Sequence, residues 1–328
     1  MKKRILGEKG FKVSEVGLGC WQLGADWGEA ISKDRAFDIL DEAVNNGITF
    51  FDTADVYGNG KSETLIGEFL KTCDAHIRVA TKFGRAGNAY PDKYSKHVLR
   101  RTVEGSLQRL QVNALDLLQL HCIPTQYLKD GEVFNWLRDL QTEGLIKHFG
   151  ASVETVEEGL ICMKQEGLLS LQVIFNIFRQ KLVSELLPQA KEKEVGIIVR
   201  LPLASGLLTG KFDAETKFPE NDHRNFNKDG ESFNVGETFA GLPFKKGLEL
   251  VETIKKDILP DDLTMVQLAL RWILDHDAVS TIIPGASSPK QVIGNAVVSN
   301  LEHLSPQIHE QLKKLYETQV HQHIRGGY

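Results

Sequence analysis

The sequence predicts an α/β protein built as a (β/α)8 barrel, with an N-terminal β-hairpin and a long loop after strand 7. Three observations predict it. Short apolar runs alternate with segments of helical periodicity eight times along 328 residues, the mark of parallel βαβ units. No Gly-x-Gly-x-x-Gly follows the first run, as an open dinucleotide-binding sheet would have. Polar residues of chemical interest end several different runs, where closed barrels collect their working groups. Right-handed crossovers leave the open doubly wound sheet as the other outcome, and the last two observations count against it.

The elements follow in order. Arg4-Ile5-Leu6, a Gly-Glu-Lys-Gly turn and Phe11-Lys12-Val13 make the hairpin. Val16 to Cys20 is the first barrel strand. The next stretch, Trp21 to Gly28, is rich in Gly and Trp and reads either as a pocket wall or as a packed surface turn. Ser32 is a good N-cap for a helix through Ala36, Ile39, Leu40, Ala43 and Val44, which Asn46-Gly47 ends. A strand closing on Asp52 follows, then a helix over 62–72 and a strand closing on Lys82. A helix through Val98, Val103, Leu107 and Leu110 leads to a fourth strand, 116–120, which delivers His121.

One helix is expected over 128–142, and a strand over 147–152. Helix 156–165, strand 170–176, helix 185–194 and strand 196–201 come next. Residues 202–243 form the long loop, and its five Phe (Phe212, Phe218, Phe226, Phe233, Phe239) argue that it packs onto something. Helices over 245–256 and 264–275, a strand over 279–283 and helices over 289–299 and 305–318 complete a single barrel domain, 1–328.

Composition narrows the function classes. Net charge is -5, so neither nucleic acid nor an anionic membrane is expected as a partner. No apolar run approaches the roughly 18–20 residues that span a bilayer. Gly7 to Gly10 interrupts any apolar segment after the basic N-terminus, and no signal peptide is expected. Cys20, Cys73, Cys122 and Cys162 are scattered, which reads as free thiols in a cytoplasmic protein. Cys122 beside His121 lacks the partners of a nucleophile. Metal is not expected, because His121 and Asp52 have no third ligand at suitable spacing.

Asp52, Tyr57, Lys82 and His121 are each unremarkable alone. Together they place an acid, a phenol, an ammonium and an imidazole at the ends of three strands. An ammonium beside a phenol lowers its pKa, and an acid holds the ammonium in place. The imidazole can donate to a carbonyl oxygen. This set suits protonating an oxygen that gains charge as hydride reaches carbon. Side chains supply no hydride, so a nicotinamide cofactor is required.

The strings FFDTADVYGNGKSETLIG, VATKFG and LLQLH resemble the aldo-keto reductase superfamily. So do Gly-Ala-Ser after the fifth strand, PLASGLLTGKF after the seventh and IPGASSPKQVIGNA near the end, and the likeness covers nearly the whole chain. It implies a TIM barrel that reduces aldehydes or ketones with NADPH. Tyr57 would be the general acid, Lys82 and Asp52 its tuning pair, and His121 the carbonyl orienter. Ser152 and Gln172 would hold the nicotinamide carboxamide, with Pro202, Leu203 and Gly206 also at the cofactor. Gly285, Ser287, Ser288, Lys290, Gln291 and Asn295 would take the adenosine end and its 2'-phosphate.

Three departures stand out, the first being Val153 directly after the fifth-strand serine, where the family often has Asn. Arg200 occupies the position where relatives stack a Tyr on the nicotinamide; it can stack in its place or pair with an acid such as Asp222. Ser287 and Ser288 stand where many relatives carry Arg, leaving Lys290 as the phosphate cation or as a solvated lysine. Trp21, Trp27, Phe83 and Cys122 are the candidate substrate wall. The other reading of the resemblance is a cofactor-binding subunit of the kind that attaches to potassium channels. Such relatives commonly lack the histidine that is present here as His121. Oligomeric state is left open.

Overall fold

The computed structural model describes residues 1–24 and 31–328; Trp27 lies outside them. The hairpin is β1 (Lys3–Leu6) and β2 (Phe11–Ser14). Eight parallel strands follow: β3 (Leu18–Gly19), β4 (Phe50–Asp52), β5 (Arg78–Phe83), β6 (Leu117–His121), β7 (Phe149–Ser152), β8 (Leu168–Ile174), β9 (Gly196–Arg200) and β10 (Val279–Ile282). They lie side by side in chain order. Bridges from Val16 to Ile282 and from Gly19 to Gly285 bring the last strand back to the first, so the sheet is the expected (β/α)8 barrel.

Strand alternation sorts the side chains into two layers. Phe50, Ala80, Leu117, Leu169, Ile198 and Ile283 cluster with Leu6 and Val13, so the hairpin packs on the residues that fill one end of the barrel. Phe51, Val79, Leu118, Leu120, Leu171 and Val199 turn outward onto the helices. Arg4 ties the hairpin to the barrel, donating to the carbonyl oxygens of Val279 (2.7 Å) and Leu274 (2.6 Å).

Local chemistry explains most helix ends. Ser32 caps Lys33–Asn45 by accepting from the Arg35 amide. Thr155 and Glu158 form a reciprocal capping box at Val156–Cys162. The helix expected over 128–142 is two helices, Thr125–Asp130 and Glu132–Thr142. Gly131 between them adopts φ +81°, a conformation open to glycine at little cost. The long loop is packed, as its phenylalanines suggested: Phe212, Phe218, Phe239 and Phe244 interlock with ring centroids 5.0–6.1 Å apart. Arg224 covers the Phe218 ring at 4.5 Å. Among the described residues, no helix is long and apolar enough to cross a membrane.

Candidate active site

Lys82 is the centre of the site. It is 1% exposed, and its Nζ donates to Asp52 Oδ1 (2.5 Å), the Thr53 carbonyl (2.7 Å) and Tyr57 Oη (3.3 Å). β4 and β5 are neighbours, with Asp52 beside Ala80, so the ammonium two residues further along meets the carboxylate. The remaining Asp52 oxygen accepts from Gln172 Nε2 (2.7 Å) and Gln119 Nε2 (3.0 Å). Gln119 escaped the sequence reading. Its signal is the two-residue period of β6, which puts it on the same face as His121.

The buried charges shift in ways the contacts explain. Burial works against the charge of Lys82, but Asp52 and Tyr57 together outweigh it and the pKa stands above the ordinary lysine value. Tyr57 departs from expectation. Burial raises its pKa more than the Lys82 charge lowers it, so the phenol is firmly protonated in this state. His121 falls well below the usual histidine value through burial, helped by Arg85, Lys82 and Arg200, and is neutral. Its Nδ1 has no hydrogen-bond partner among the described residues, and the ring stands edge-on to Tyr57 at 6.0 Å.

Above this set lies a second charged network. Arg200 ends β9 and pairs with Glu237 (3.3 Å), not with Asp222, which is occupied by Arg224 at 2.6 Å. Its Nη2 also reaches Cys122 Sγ and the Val153 carbonyl, both at 3.4 Å. Arg85 donates to Glu154 (2.7 Å) and to the same Glu237 oxygen (3.0 Å). Cys122, Glu154 and Glu237 are close enough to hold a metal ion, but Arg85, Arg200 and Asn234 already engage both carboxylates.

The other expected residues divide. Trp21 packs near Tyr57 (6.1 Å), His223 (5.0 Å) and Phe233 (6.4 Å), so the long loop helps enclose that wall. Phe83 is not part of the wall. Lys82 points into the barrel, so the next residue points out, and Phe83 packs edge-on against Tyr94 in the helix layer. Ser152 and Gln172 are adjacent, 3.4 Å from Oγ to Oε1, but the Gln172 amide nitrogen is committed to Asp52.

At the far wall, Gly206 (φ +96°) lies in the turn after Pro202 and Leu203. Past Gly285, the Ser287 amide and hydroxyl both donate to Gln291 at the start of helix Pro289–Ala296, which also carries Lys290 and the buried Asn295. Arg35 arrives here from another helix and donates to the Ser287 carbonyl at 2.8 Å. A second cation thus stands at a loop whose own sequence lacks arginine. No local motif pointed to it.

A parallel barrel whose strand ends gather a buried acid, lysine, phenol and imidazole defines the class of protein. Residues 15–317 match the aldo/keto reductase family, to which the chain belongs. It is 31% identical to the uncharacterized oxidoreductase YqkF of Bacillus subtilis, covering 96% of this chain and 95% of the relative. The NADH-specific methylglyoxal reductase of Escherichia coli is 28% identical, covering 92% and 94%. Among solved structures, glycerol dehydrogenase AKR11B4 from Gluconobacter oxydans superposes with a TM-score of 0.81 at 27% identity, covering 99% and 98%.

Proposed function

We propose that this protein reduces an aldehyde or ketone to the alcohol with NADPH, Tyr57 acting as general acid. One observation carries the reading: the Lys82 ammonium is wedged between Asp52, the Thr53 carbonyl and the Tyr57 hydroxyl. A bound nicotinamide supplies the hydride. Tyr57 holds the proton that the nascent alkoxide takes, and the adjacent ammonium stabilises the phenolate left behind. Asp52, braced by Gln119 and Gln172, keeps that ammonium charged and fixed. Neutral His121 orients the carbonyl oxygen beside Tyr57.

The donor set fits the cofactor. Ser152 Oγ and Gln172 Oε1 suit a carboxamide, which both gives and accepts hydrogen bonds. The Arg200 guanidinium is planar and suits the face of a ring. Pro202, Leu203 and Gly206 serve the same wall. Gly285, Ser287, Ser288, Gln291 and Asn295 line the adenosine end. Lys290 and Arg35 beside a helix N-terminus suit a 2'-phosphate. These two cations support NADPH over NADH, although one relative is named NADH-specific.

The test is cofactor oxidation by the purified protein with a reactive aromatic aldehyde, beside the Tyr57→Phe variant. Turnover should fall about a hundred- to ten-thousand-fold while NADPH still binds. Undiminished turnover in the variant would remove Tyr57 from its role.

A further inference from the structure

We infer that the substrate is an anionic carbonyl compound, one carrying a carboxylate that docks on Arg85 and Arg200 in the place now taken by Glu237. This deepens the reductase reading and rests on it.

Arg85 follows β5 by two residues, and Arg200 ends β9. Those strands are four places apart in a ring of eight, on opposite walls. A single oxygen, Glu237 Oε1, accepts from Arg85 at 3.0 Å and forms an ion pair with Arg200 Nη1 at 3.3 Å. One carboxylate therefore spans the mouth of the barrel. It lies over the reacting groups, because Arg200 also touches Cys122, the neighbour of His121.

The charge count favours an anion here. Among the described residues, Arg85 and Arg200 pair with the carboxylates of Glu154 and Glu237, while the buried Arg179 lies over the Tyr328 ring at 4.7 Å and forms no ion pair. Arg179 Nε and Nη1 have no hydrogen-bond partner among the described residues, and Gly236, next to Glu237, lies directly against Arg179 Nη1. A neutral substrate that displaced Glu237 would leave Arg85 and Arg200 short of a carboxylate, whereas an anionic one supplies it.

Glu237 is not built into the barrel wall. It sits on a single turn, Val235–Glu237, in the long loop. That turn is held by Ser205, whose Oγ donates to the Glu237 carbonyl (3.0 Å) and accepts from the Phe239 amide (3.1 Å). Ala204, Ser205, Phe239 and Ala240 all have φ between +48° and +58°, a left-handed conformation that costs non-glycine residues about 1 kcal/mol or more each. Four strained residues brace the loop where Glu237 enters. Replacing one carboxylate by another keeps the buried charge constant.

The experiment compares 4-formylbenzoate with its methyl ester, the same aldehyde with and without the charge, using NADPH and the whole protein. The acid should show kcat/KM about tenfold or more above the ester, mainly through KM. Arg85→Met should lower the value for the acid about tenfold more than for the ester. Glu237→Gln, which removes the competing charge, should lower KM for the acid. Reduction of the ester at least as well as the acid by the unaltered protein overturns the inference and leaves the reductase reading standing. Equal losses for both compounds in Arg85→Met overturn it also. Turnover of neither compound removes both.

Discussion

Two buried ion-pair systems share the mouth of this barrel, and they are made in opposite ways. Asp52 and Lys82 come from adjacent strands, and four further protein groups satisfy their remaining hydrogen-bonding capacity. Arg85 and Arg200 come from opposite walls and meet through a carboxylate that a loop supplies. The first system has no part that can leave without loss of the barrel's own contacts. The second has one. A strand-borne pair suits chemistry, where position must be fixed, and a loop-borne pair suits recognition, where a group must exchange.

Breaking each system should give unequal costs. Lys82→Met leaves Asp52 charged, buried and without its cation, which should cost about 3–5 kcal/mol in urea unfolding. Glu237→Ala should cost less, about 1–3 kcal/mol, because Arg85 keeps Glu154 and the loop can admit water. Equal costs would mean that the loop carboxylate is as fixed as the strand pair, and the contrast would collapse.

Asp55 sharpens the comparison as an acid that forms no ion pair among the described residues. Its Oδ1 has no partner among the described residues, and burial, with the charge of Glu63, lifts its pKa to about 7. The folded state therefore binds a proton that the unfolded state has released. Stability from this group is present below about pH 4 and lost as pH rises toward 7. Asp55→Asn should flatten that slope and stabilise the protein at pH 8 relative to the unaltered chain, on the order of 1 kcal/mol. Denaturant midpoints across pH 4–8 measure it, and a slope unchanged in Asp55→Asn would exclude Asp55 as its source. The smallest effect concerns the far wall. Lys290→Ala and Arg35→Ala should each raise Kd for NADPH several-fold, on the order of 1 kcal/mol, with little change for NADH. Fluorescence titration with both cofactors decides it; parallel losses would put the 2'-phosphate elsewhere.

The same contrast explains what could be read from sequence. Asp52, Lys82 and His121 were legible because each ends an apolar run, and a strand's end fixes where its side chain goes. Gln119 was within reach of the two-residue period, which also turns Phe83 away from the pocket. Gly131 was legible only as a residue, since the helical pattern runs straight across it. Glu237 and Arg179 were not legible. Their partners are set by the path of an irregular segment, and no periodicity encodes that path. Arg35 likewise meets Ser287 through the packing of two helices from opposite ends of the chain.

That last meeting has a mechanical side. The barrel closes where Val16 and Gly19 meet Ile282 and Gly285, a seam of isolated bridges beside a two-residue strand. Arg35 lies on the early side of this seam, and Ser287 and Lys290 on the late side. An anion gripped by both cations is a rivet between the first and last units of the barrel. Its binding energy is added to the cohesion of the ring at its thinnest joint. NADPH should therefore raise Tm by differential scanning fluorimetry, and Arg35→Ala should shrink that rise more than it lowers the Tm of the free protein.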